Sequence, residues 1–192
     1  MLTAKRLFDI PNIQLKEYPN DRMFVTKTNG EWIPVSTATF MADAMEVSKG
    51  LIAKGIQPGD MVAIVSNTRY EWNVMDIAIQ QVAAIVVPIY PNISENDYKY
   101  IFNDAKIKLA VIANEELFNK ISHIQSEIPT MENFFTMEEV KGSNNWSELK
   151  KEGVNIDESE VLKRMEIPKY EDLATIIYTS GTTGNPKGVM LS

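Results

Sequence analysis

Close to the end of the chain lies the stretch Tyr178-Thr179-Ser180-Gly181-Thr182-Thr183-Gly184-Asn185-Pro186-Lys187-Gly188. Its glycines permit positive φ angles and let backbone N–H groups approach an anion. Its hydroxyl side chains add hydrogen-bond donors, and its lysine adds a movable positive charge. This composition is typical of a polyphosphate-binding loop. The Walker A motif is excluded, because there the lysine directly follows the second glycine, whereas Asn185 and Pro186 separate Gly184 from Lys187.

The stretch matches every defined position of the signature Tyr/Phe-Thr-Ser-Gly-Ser/Thr-Thr-Gly-x-Pro-Lys-Gly. The chain therefore resembles the adenylate-forming (AMP-binding) enzymes, the superfamily of acyl-CoA synthetases, luciferases and peptide-synthetase adenylation domains. Gly59-Asp60, residues 66–72 and residues 87–91 are most similar to the long-chain fatty acid–CoA ligase branch. The similarity covers residues 20–136 and 168–192.

The resemblance implies an enzyme that forms carbon–sulfur bonds. In this superfamily a carboxylate attacks the α-phosphorus of MgATP, pyrophosphate leaves, and coenzyme A then takes the acyl group from the acyl-adenylate. ATP, Mg²⁺ brought with ATP, coenzyme A and a fatty acid are thus the implied small molecules. Lys187 would stabilise the departing pyrophosphate. The implied phosphate-binding residues are Thr179, Ser180, Gly181, Thr182, Thr183, Gly184 and Lys187.

The family pattern continues beyond Ser192 with the segments that hold adenine, ribose and magnesium, and with a small C-terminal domain that carries a catalytic lysine. We therefore expect residues 1–192 to be a single incomplete domain, the N-terminal portion of an AMP-binding domain, with the C-terminal domain absent. No complete set of catalytic residues is expected within the chain. The isolated fragment is expected to be inactive.

Composition places the chain among ordinary globular proteins, with 44% hydrophobic and 23% charged residues. The net charge of −7 argues against a general nucleic-acid surface. The chain has no cysteine and no signal-peptide pattern, which fits a cytoplasmic location. Because fatty acyl substrates reside in membranes, the resemblance also allows peripheral membrane contact.

Hydrophobic periodicity predicts an N-terminal β-hairpin followed by a three-layer α/β/α fold with a mostly parallel sheet. Asn29-Gly30 suits a two-residue turn between the alternating residues 22–28 and 31–35. A helix is predicted from the N-cap Ser36 to Gly55. Three strands alternate with helices after it, at residues 61–65, 84–89 and 107–112, and Pro88 and Pro91 are expected to stop the second of them.

The second half of the chain is less regular. A helix is predicted at 114–125, with Ser94 and Asp97 forming a capping box for the helix before it, and a short strand at 133–136. Residues 137–166 carry many charges and are interpreted as a surface excursion. The strand 173–179 should deliver the phosphate loop at its carboxyl end, where α/β sheets bind ligands.

Three other sets of side chains have ordinary structural interpretations. Arg69 and Glu71 are expected to pair near a helix start, and Trp72 to face the core. His123, the sole histidine, falls off the apolar face of its helix and is expected at the surface. No protein metal site is expected.

Two alternatives to a fatty acid–CoA ligase stay open. One is an adenylating ligase for another acid, such as an aryl, short-chain or amino acid. The other is a non-catalytic phosphate-binding or assembly fragment, whose cut sheet edge would require a homodimer partner to cover it.

Overall fold

A computed structural model describes residues 3–28, 30–180 and 184–192. It contains a two-stranded hairpin and a seven-stranded sheet with the strand order β7-β6-β5-β3-β4-β8-β9. The strands are β1 Phe24–Thr28, β2 Glu31–Val35, β3 Met61–Val65, β4 Ile85–Ile89, β5 Leu109–Ile112, β6 Asn133–Thr136, β7 Asn144–Asn145, β8 Thr175–Thr179 and β9 Lys187–Leu191. The helices are α1 Asp9–Glu17, α2 Thr37–Ala53, α3 Tyr70–Gln81, α4 Glu95–Asp104, α5 Glu115–Ile124, α6 Ser147–Glu152 and α7 Glu158–Met165.

The N-terminal hairpin is confirmed. Strands β1 and β2 pair antiparallel, with Thr28 opposite Glu31, so that two residues connect them. Gly30 has a φ of +87°, in the region that glycine adopts without a Cβ penalty. Asn29 lies outside the described residues. Sequence spacing and turn chemistry therefore agree on this element.

Helix starts follow the predicted caps. The Ser36 side chain accepts a hydrogen bond from the Thr39 N–H at 3.1 Å, which satisfies one of the free donors at the start of α2. Ser94 and Asp97 form the expected capping box at the start of α4. Asn114 caps α5 by accepting a hydrogen bond from the Leu117 N–H at 3.1 Å. Short polar side chains thus fix three of the helix boundaries.

The sheet separates two apolar layers, which confirms the three-layer arrangement. On one face, α2 and α3 pack against the strands through fully buried side chains such as Phe40, Val47 and Met75. On the other face, α4 and α5 bury Tyr98, Phe102 and Ile121. Strands β3 and β5 are buried on both faces, as their unbroken apolar sequences predict.

Pro88 does not stop β4, contrary to the expectation from sequence. It lies inside the strand, opposite Ile64 of β3. In a strand, successive N–H groups point to opposite neighbours. Ile85 N–H donates to Asp60, just before β3, and Val86 N–H donates to Ala174, just before β8. The nitrogen of Pro88 therefore faces the β8 side, so that its missing N–H leaves the pairing with β3 intact.

Residues 137–166 are more deeply packed than a surface excursion. Strand β7 extends the sheet beside β6, and α6 and α7 lie against α2. Leu149 and Val161 are fully buried. Gly50 of α2 and Gly153 lie back to back: a Cβ on Gly50 would lie 2.1 Å from the Leu149 carbonyl oxygen, and a Cβ on Gly153 would lie 2.5 Å from the Gly50 nitrogen. Most of the charged residues are exposed, while Met137, Trp146, Leu149 and Val161 are buried.

No helix in residues 3–28, 30–180 and 184–192 combines the length and the apolar character needed to cross a membrane.

Candidate functional site

A cleft of about 440 Å³ opens at the carboxyl ends of β4 and β8. One wall comes from the end of β4 and the first turns of α4, and the other from the β8–β9 hairpin. The lining residues are Ile89, Tyr90, Ile93, Asp97, Ile101, Ile177, Tyr178, Thr179, Ser180, Gly184 and Pro186. Carboxyl ends of parallel strands are where open α/β sheets bind their ligands. The cleft is therefore the candidate site.

The described part of the predicted phosphate loop lines this cleft. Thr179 ends β8 with its side chain exposed, and Ser180 follows it at the cleft wall. Gly184 lies on the return of the chain with a φ of +138°, which disfavours any residue with a Cβ atom. Gly181, Thr182 and Thr183 lie outside the described residues.

Lys187 is the first residue of β9, a strand that sequence reasoning missed. Strand β9 runs antiparallel to β8, and the register places Lys187 directly opposite Thr179. The ammonium-bearing side chain and the threonine hydroxyl thus stand on neighbouring strands where the hairpin opens into the cleft. The apolar run Val189-Met190-Leu191 after Gly188 was the available signal for this strand.

The last glycine of the signature lies opposite its first residue. Gly188 pairs with Tyr178 across the hairpin. A Cβ on Gly188 would lie 2.8 Å from Ile176 Cγ2 and 3.1 Å from Tyr178 Cζ. Tyr178 is buried, with only 7% of the residue exposed. The absence of a Cβ atom at Gly188 therefore permits close packing of the hairpin, whereas at Gly184 it permits the positive φ of the turn.

Pro88 directly precedes Ile89 and Tyr90, which line the cleft. Strands β3 and β4 align over five residue pairs, but the register of β4 with β8 holds the single pair Val86–Thr175. Two residues beyond Val86, the nitrogen of Pro88 faces β8 without a hydrogen to donate. The ladder cannot continue through it, and the cleft begins at this point of the sheet.

Arg69 and Glu71 pair as expected and lie outside the cleft. Arg69 Nε donates to Glu71 Oε2 at 2.7 Å, and Arg69 Nη1 donates to Glu138 Oε1 at 3.0 Å. The hydrogen bond that Arg69 donates to Glu71, reinforced by the negative charges of Glu71 and Glu138, raises the pKa of Arg69. Trp72 packs against the core. The ion pairs of Arg69 join the start of α3 to Glu138, just after β6, and give Arg69 and Glu71 a structural role.

Neither His123 nor an acidic cluster forms a second candidate site. The His123 side chain is 73% exposed and lies 3.8 Å from Glu95 Oε1, which confirms its surface position. Across residues 3–28, 30–180 and 184–192, no three His, Asp or Glu side chains are grouped as a metal ion requires. Among the described residues, Thr179 and Ser180 bring hydroxyl groups to the cleft and Asp97 brings a carboxylate, while Lys187 stands opposite Thr179 on the neighbouring strand. Hydroxyl and ammonium groups are donors that suit phosphate oxygens.

A second cavity, of about 480 Å³, lies at the opposite end of the sheet. Its walls include Phe8, Ile85, Leu173 and Ala174, near the amino ends of β4 and β8. It contains none of the signature residues, and the amino ends of parallel strands are not where α/β sheets bind their ligands. The smaller cleft therefore stays the candidate site.

Comparison with known proteins agrees with this fold. The AMP-binding enzyme family matches residues 12–192. The chain belongs to this family of adenylate-forming enzymes. It is 30% identical over 177 residues to the long-chain-fatty-acid–CoA ligase FadD15 of Mycobacterium bovis, which covers 92% of this chain and 29% of the relative. Fatty acyl-CoA synthetase A of Dictyostelium discoideum is 28% identical over 172 residues, covering 84% of this chain and 25% of that protein.

Solved structures share the architecture. The long-chain-fatty-acid–CoA ligase FadD1 of Archaeoglobus fulgidus superposes with a TM-score of 0.76 at 24% identity, over 100% of this chain and 38% of that one. ATP-bound MatB of Rhodopseudomonas palustris superposes with a TM-score of 0.70 at 25% identity, over 99% of this chain and 35% of that one. The chain thus spans less than a third of the length of the curated relatives named above, and its fold is that of the N-terminal part of these enzymes.

Proposed function

We propose that the protein containing this chain is an ATP-dependent fatty acid–CoA ligase. The observation that carries the proposal is the placement of the signature: Thr179 and Ser180 line the cleft at the carboxyl edge of the sheet, and Lys187 faces Thr179 across the hairpin. The names of the relatives, which are long-chain-fatty-acid–CoA ligases and fatty acyl-CoA synthetases, support a fatty acid as the substrate.

In the proposed reaction a carboxylate oxygen bonds to the α-phosphorus of ATP, and the bond from that phosphorus to the bridging oxygen of pyrophosphate breaks. The thiol of coenzyme A then attacks the acyl carbon and AMP leaves. Negative charge develops on the departing pyrophosphate in the first step. Donors that are already oriented toward that charge lower the barrier without further reorganisation.

The residues of this chain would act in the first step only. Thr179 and Ser180 offer hydroxyl groups and backbone N–H groups to the β- and γ-phosphates. Lys187 supplies a positive charge at the mouth of the hairpin, where charge-assisted hydrogen bonds to phosphate are roughly twice as strong as neutral ones. Mg²⁺ would arrive bound to ATP and neutralise phosphate charge. Gly181, Thr182 and Thr183 are part of the same signature and are included in the proposed phosphate loop for that reason.

The competing functions differ from a fatty acid–CoA ligase either in the acid that is activated or in having no catalytic activity. A ligase for an aryl, short-chain or amino acid would use the same phosphate loop. A non-catalytic phosphate-binding fragment would bind a polyphosphate without activating any acid. The identity of the acid that drives ATP turnover separates these functions.

The test is acid-dependent exchange of labelled pyrophosphate into ATP by the complete gene product, with palmitate, benzoate, acetate and a mixture of amino acids in parallel. We expect exchange with palmitate and, after coenzyme A is added, palmitoyl-CoA. Exchange with only another acid would transfer the function to that acid. Exchange with none of them would refute a ligase for these acids and favour the non-catalytic alternative.

A further inference from the structure

A side-chain hydrogen bond fastens the hairpin that carries the phosphate signature to α4. The Tyr178 hydroxyl donates to Asp104 Oδ2 at 2.6 Å. Tyr178 belongs to β8, and Asp104 is the last residue of α4, 74 positions earlier in the chain. Burial, followed by the hydrogen bond that the hydroxyl donates to the Asp104 carboxylate, raises the pKa of Tyr178. A neutral phenol that donates to a carboxylate makes a charge-assisted hydrogen bond.

This bond joins the two walls of the cleft. Asp97 and Ile101 of α4 line one side, and Thr179 and Ser180 of the hairpin line the other. Backbone pairing contributes little here, because the register between β4 and β8 holds only Val86–Thr175 and Pro88 offers no N–H beyond it. The distal part of β8 is therefore held toward the cleft by side chains.

The position of Asp104 favours a role in fastening the hairpin over a role in helix stability. A carboxylate in the last turn of a helix lies at the negative end of the helix dipole, which is unfavourable by itself. Asp104 therefore does not stabilise α4 through the helix dipole. The hydrogen bond from Tyr178 instead gives this carboxylate a partner on the hairpin.

We propose that Tyr178 and Asp104 form a latch that holds the phosphate-binding hairpin at a fixed distance from α4, which makes Tyr178 a positioning residue for the ATP phosphates. The proposal rests on the proposed function for its ligand. Breaking the latch should leave the core intact and let the hairpin, with Thr179 and Lys187, move relative to the opposite wall.

The variants Tyr178→Phe and Asp104→Ala each remove the bond and keep most of the packing. We expect each to raise the KM for ATP in palmitate-dependent pyrophosphate exchange by about tenfold, as expected for a lost hydrogen bond to a charged partner. The double variant should be no worse than either single one, because both changes break the same bond. Asp104→Asn keeps an acceptor oxygen and should restore most of the affinity. The KM for coenzyme A in thioester formation should not change.

Tyr70 provides a matched control. Its hydroxyl donates to Asp43 Oδ2 at 2.8 Å, between α3 and α2 on the other face of the sheet. Tyr70→Phe therefore removes the same type of tyrosine–aspartate bond away from the cleft. We expect its KM for ATP to equal that of the unchanged protein. A tenfold rise with Tyr70→Phe as well would mean that general loosening, and not the latch, explains the effect.

Hydrogen exchange tests the latch without using activity. In the complete gene product, Tyr178→Phe should speed amide exchange in β9 about tenfold and leave β5 unchanged, whereas Tyr70→Phe should leave β9 unchanged. Unchanged exchange in β9 with Tyr178→Phe would overturn the latch. Faster exchange with an unchanged KM for ATP would overturn the positioning role. Absence of any exchange of pyrophosphate in the unchanged protein would instead refute the proposed function, and the amide measurement would still decide the latch.

Discussion

Gly188 leaves the space that the ring of Tyr178 fills across the β8–β9 hairpin. The two residues are paired in the register, and the nearest ring atom, Cζ, would lie 3.1 Å from a Cβ on residue 188. Contacts this short are tighter than van der Waals separation, so the ring or the strand would have to shift. The two ends of the signature are thus packed against each other.

Gly188→Ala should therefore destabilise the hairpin. We expect a loss of about 1–3 kcal/mol in the free energy of unfolding, the usual cost of added volume at a tightly packed position. Urea denaturation of residues 1–192 measures it. Met190→Ala is the control, because Met190 belongs to the same strand and is 68% exposed. Equal, small effects of the two changes would mean that the hairpin accommodates the extra methyl group.

Lys187→Ala should slow adenylate formation about 10²- to 10³-fold, the effect of removing one oriented electrostatic donor. Transfer of a preformed acyl-adenylate to coenzyme A should change little, because only the first step expels pyrophosphate. Single-turnover rates of the two half-reactions measure this in the complete gene product. The exposed Lys169, beyond the amino end of β8, supplies the control Lys169→Ala. Equal slowing of both half-reactions would contradict the role assigned to Lys187.

Pro88→Val should lengthen the pairing between β4 and β8, because it restores an N–H on the side that faces β8. The free energy of unfolding should change by less than about 1.5 kcal/mol, since a new hydrogen bond gains about 0.5–1.5 kcal/mol and loss of the rigid proline costs 0.4–1 kcal/mol. The KM for ATP should rise as the cleft narrows. Pro34→Val, in the N-terminal hairpin, is the control. An unchanged KM for ATP with Pro88→Val would show that Pro88 does not set the width of the cleft.

Burial raises the pKa of Asp76 to about 6, from an ordinary value of 3.8. Between these values the folded state binds more protons than the unfolded chain, so the contribution of Asp76 to stability falls as the pH rises from 4 to 6. Above pH 6 the full penalty of the buried charge remains, about 3 kcal/mol at most. Asp76→Asn, which keeps an acceptor for the Gln80 amide, should raise the free energy of unfolding at pH 7 and have little effect below pH 4. Urea denaturation at both pH values measures it, with the exposed Asp21→Asn as control.

Residues 1–192 expressed alone should form no acyl-adenylate. The described residues of the cleft present groups that we propose to bind phosphates. The chain spans only 29% of the length of the FadD15 ligase, so it corresponds to a small part of a complete ligase. Carboxylate-dependent exchange of pyrophosphate into ATP by the purified chain is the measurement. Exchange that disappears with Lys187→Ala would contradict this prediction.

Local patterns predicted most of the elements. Apolar runs located the buried strands β3 and β5, and short polar side chains located the starts of α2, α4 and α5, because caps and periodicity involve residues close together in the sequence. The signature placed Thr179 and Ser180 at the end of a strand, where the structure has them. Their role in phosphate binding stays a prediction.

Longer-range relationships were not predictable. The pairing of Tyr178 with Asp104 joins residues 74 positions apart, and neither sequence neighbourhood indicates it. Pro88 was expected to end its strand because proline has no N–H to donate. Which neighbouring strand loses a hydrogen bond depends on the direction in which the proline nitrogen points. Residues 137–166 looked like surface because of their charges, while the fewer apolar side chains, such as Leu149, decided their packing.

The contact between Gly50 and Gly153 marks a position at which this chain should not tolerate an insertion. Where the two backbones touch, an added residue would force α2 and the end of α6 apart, and no side-chain adjustment could absorb it. Gly142 is different: it lies in an exposed turn with open space around it, where loops accept additional residues at low cost. A peptide tag or reporter inserted at residues 141–143 should therefore leave the domain folded, whereas the same insertion at Gly153 should not.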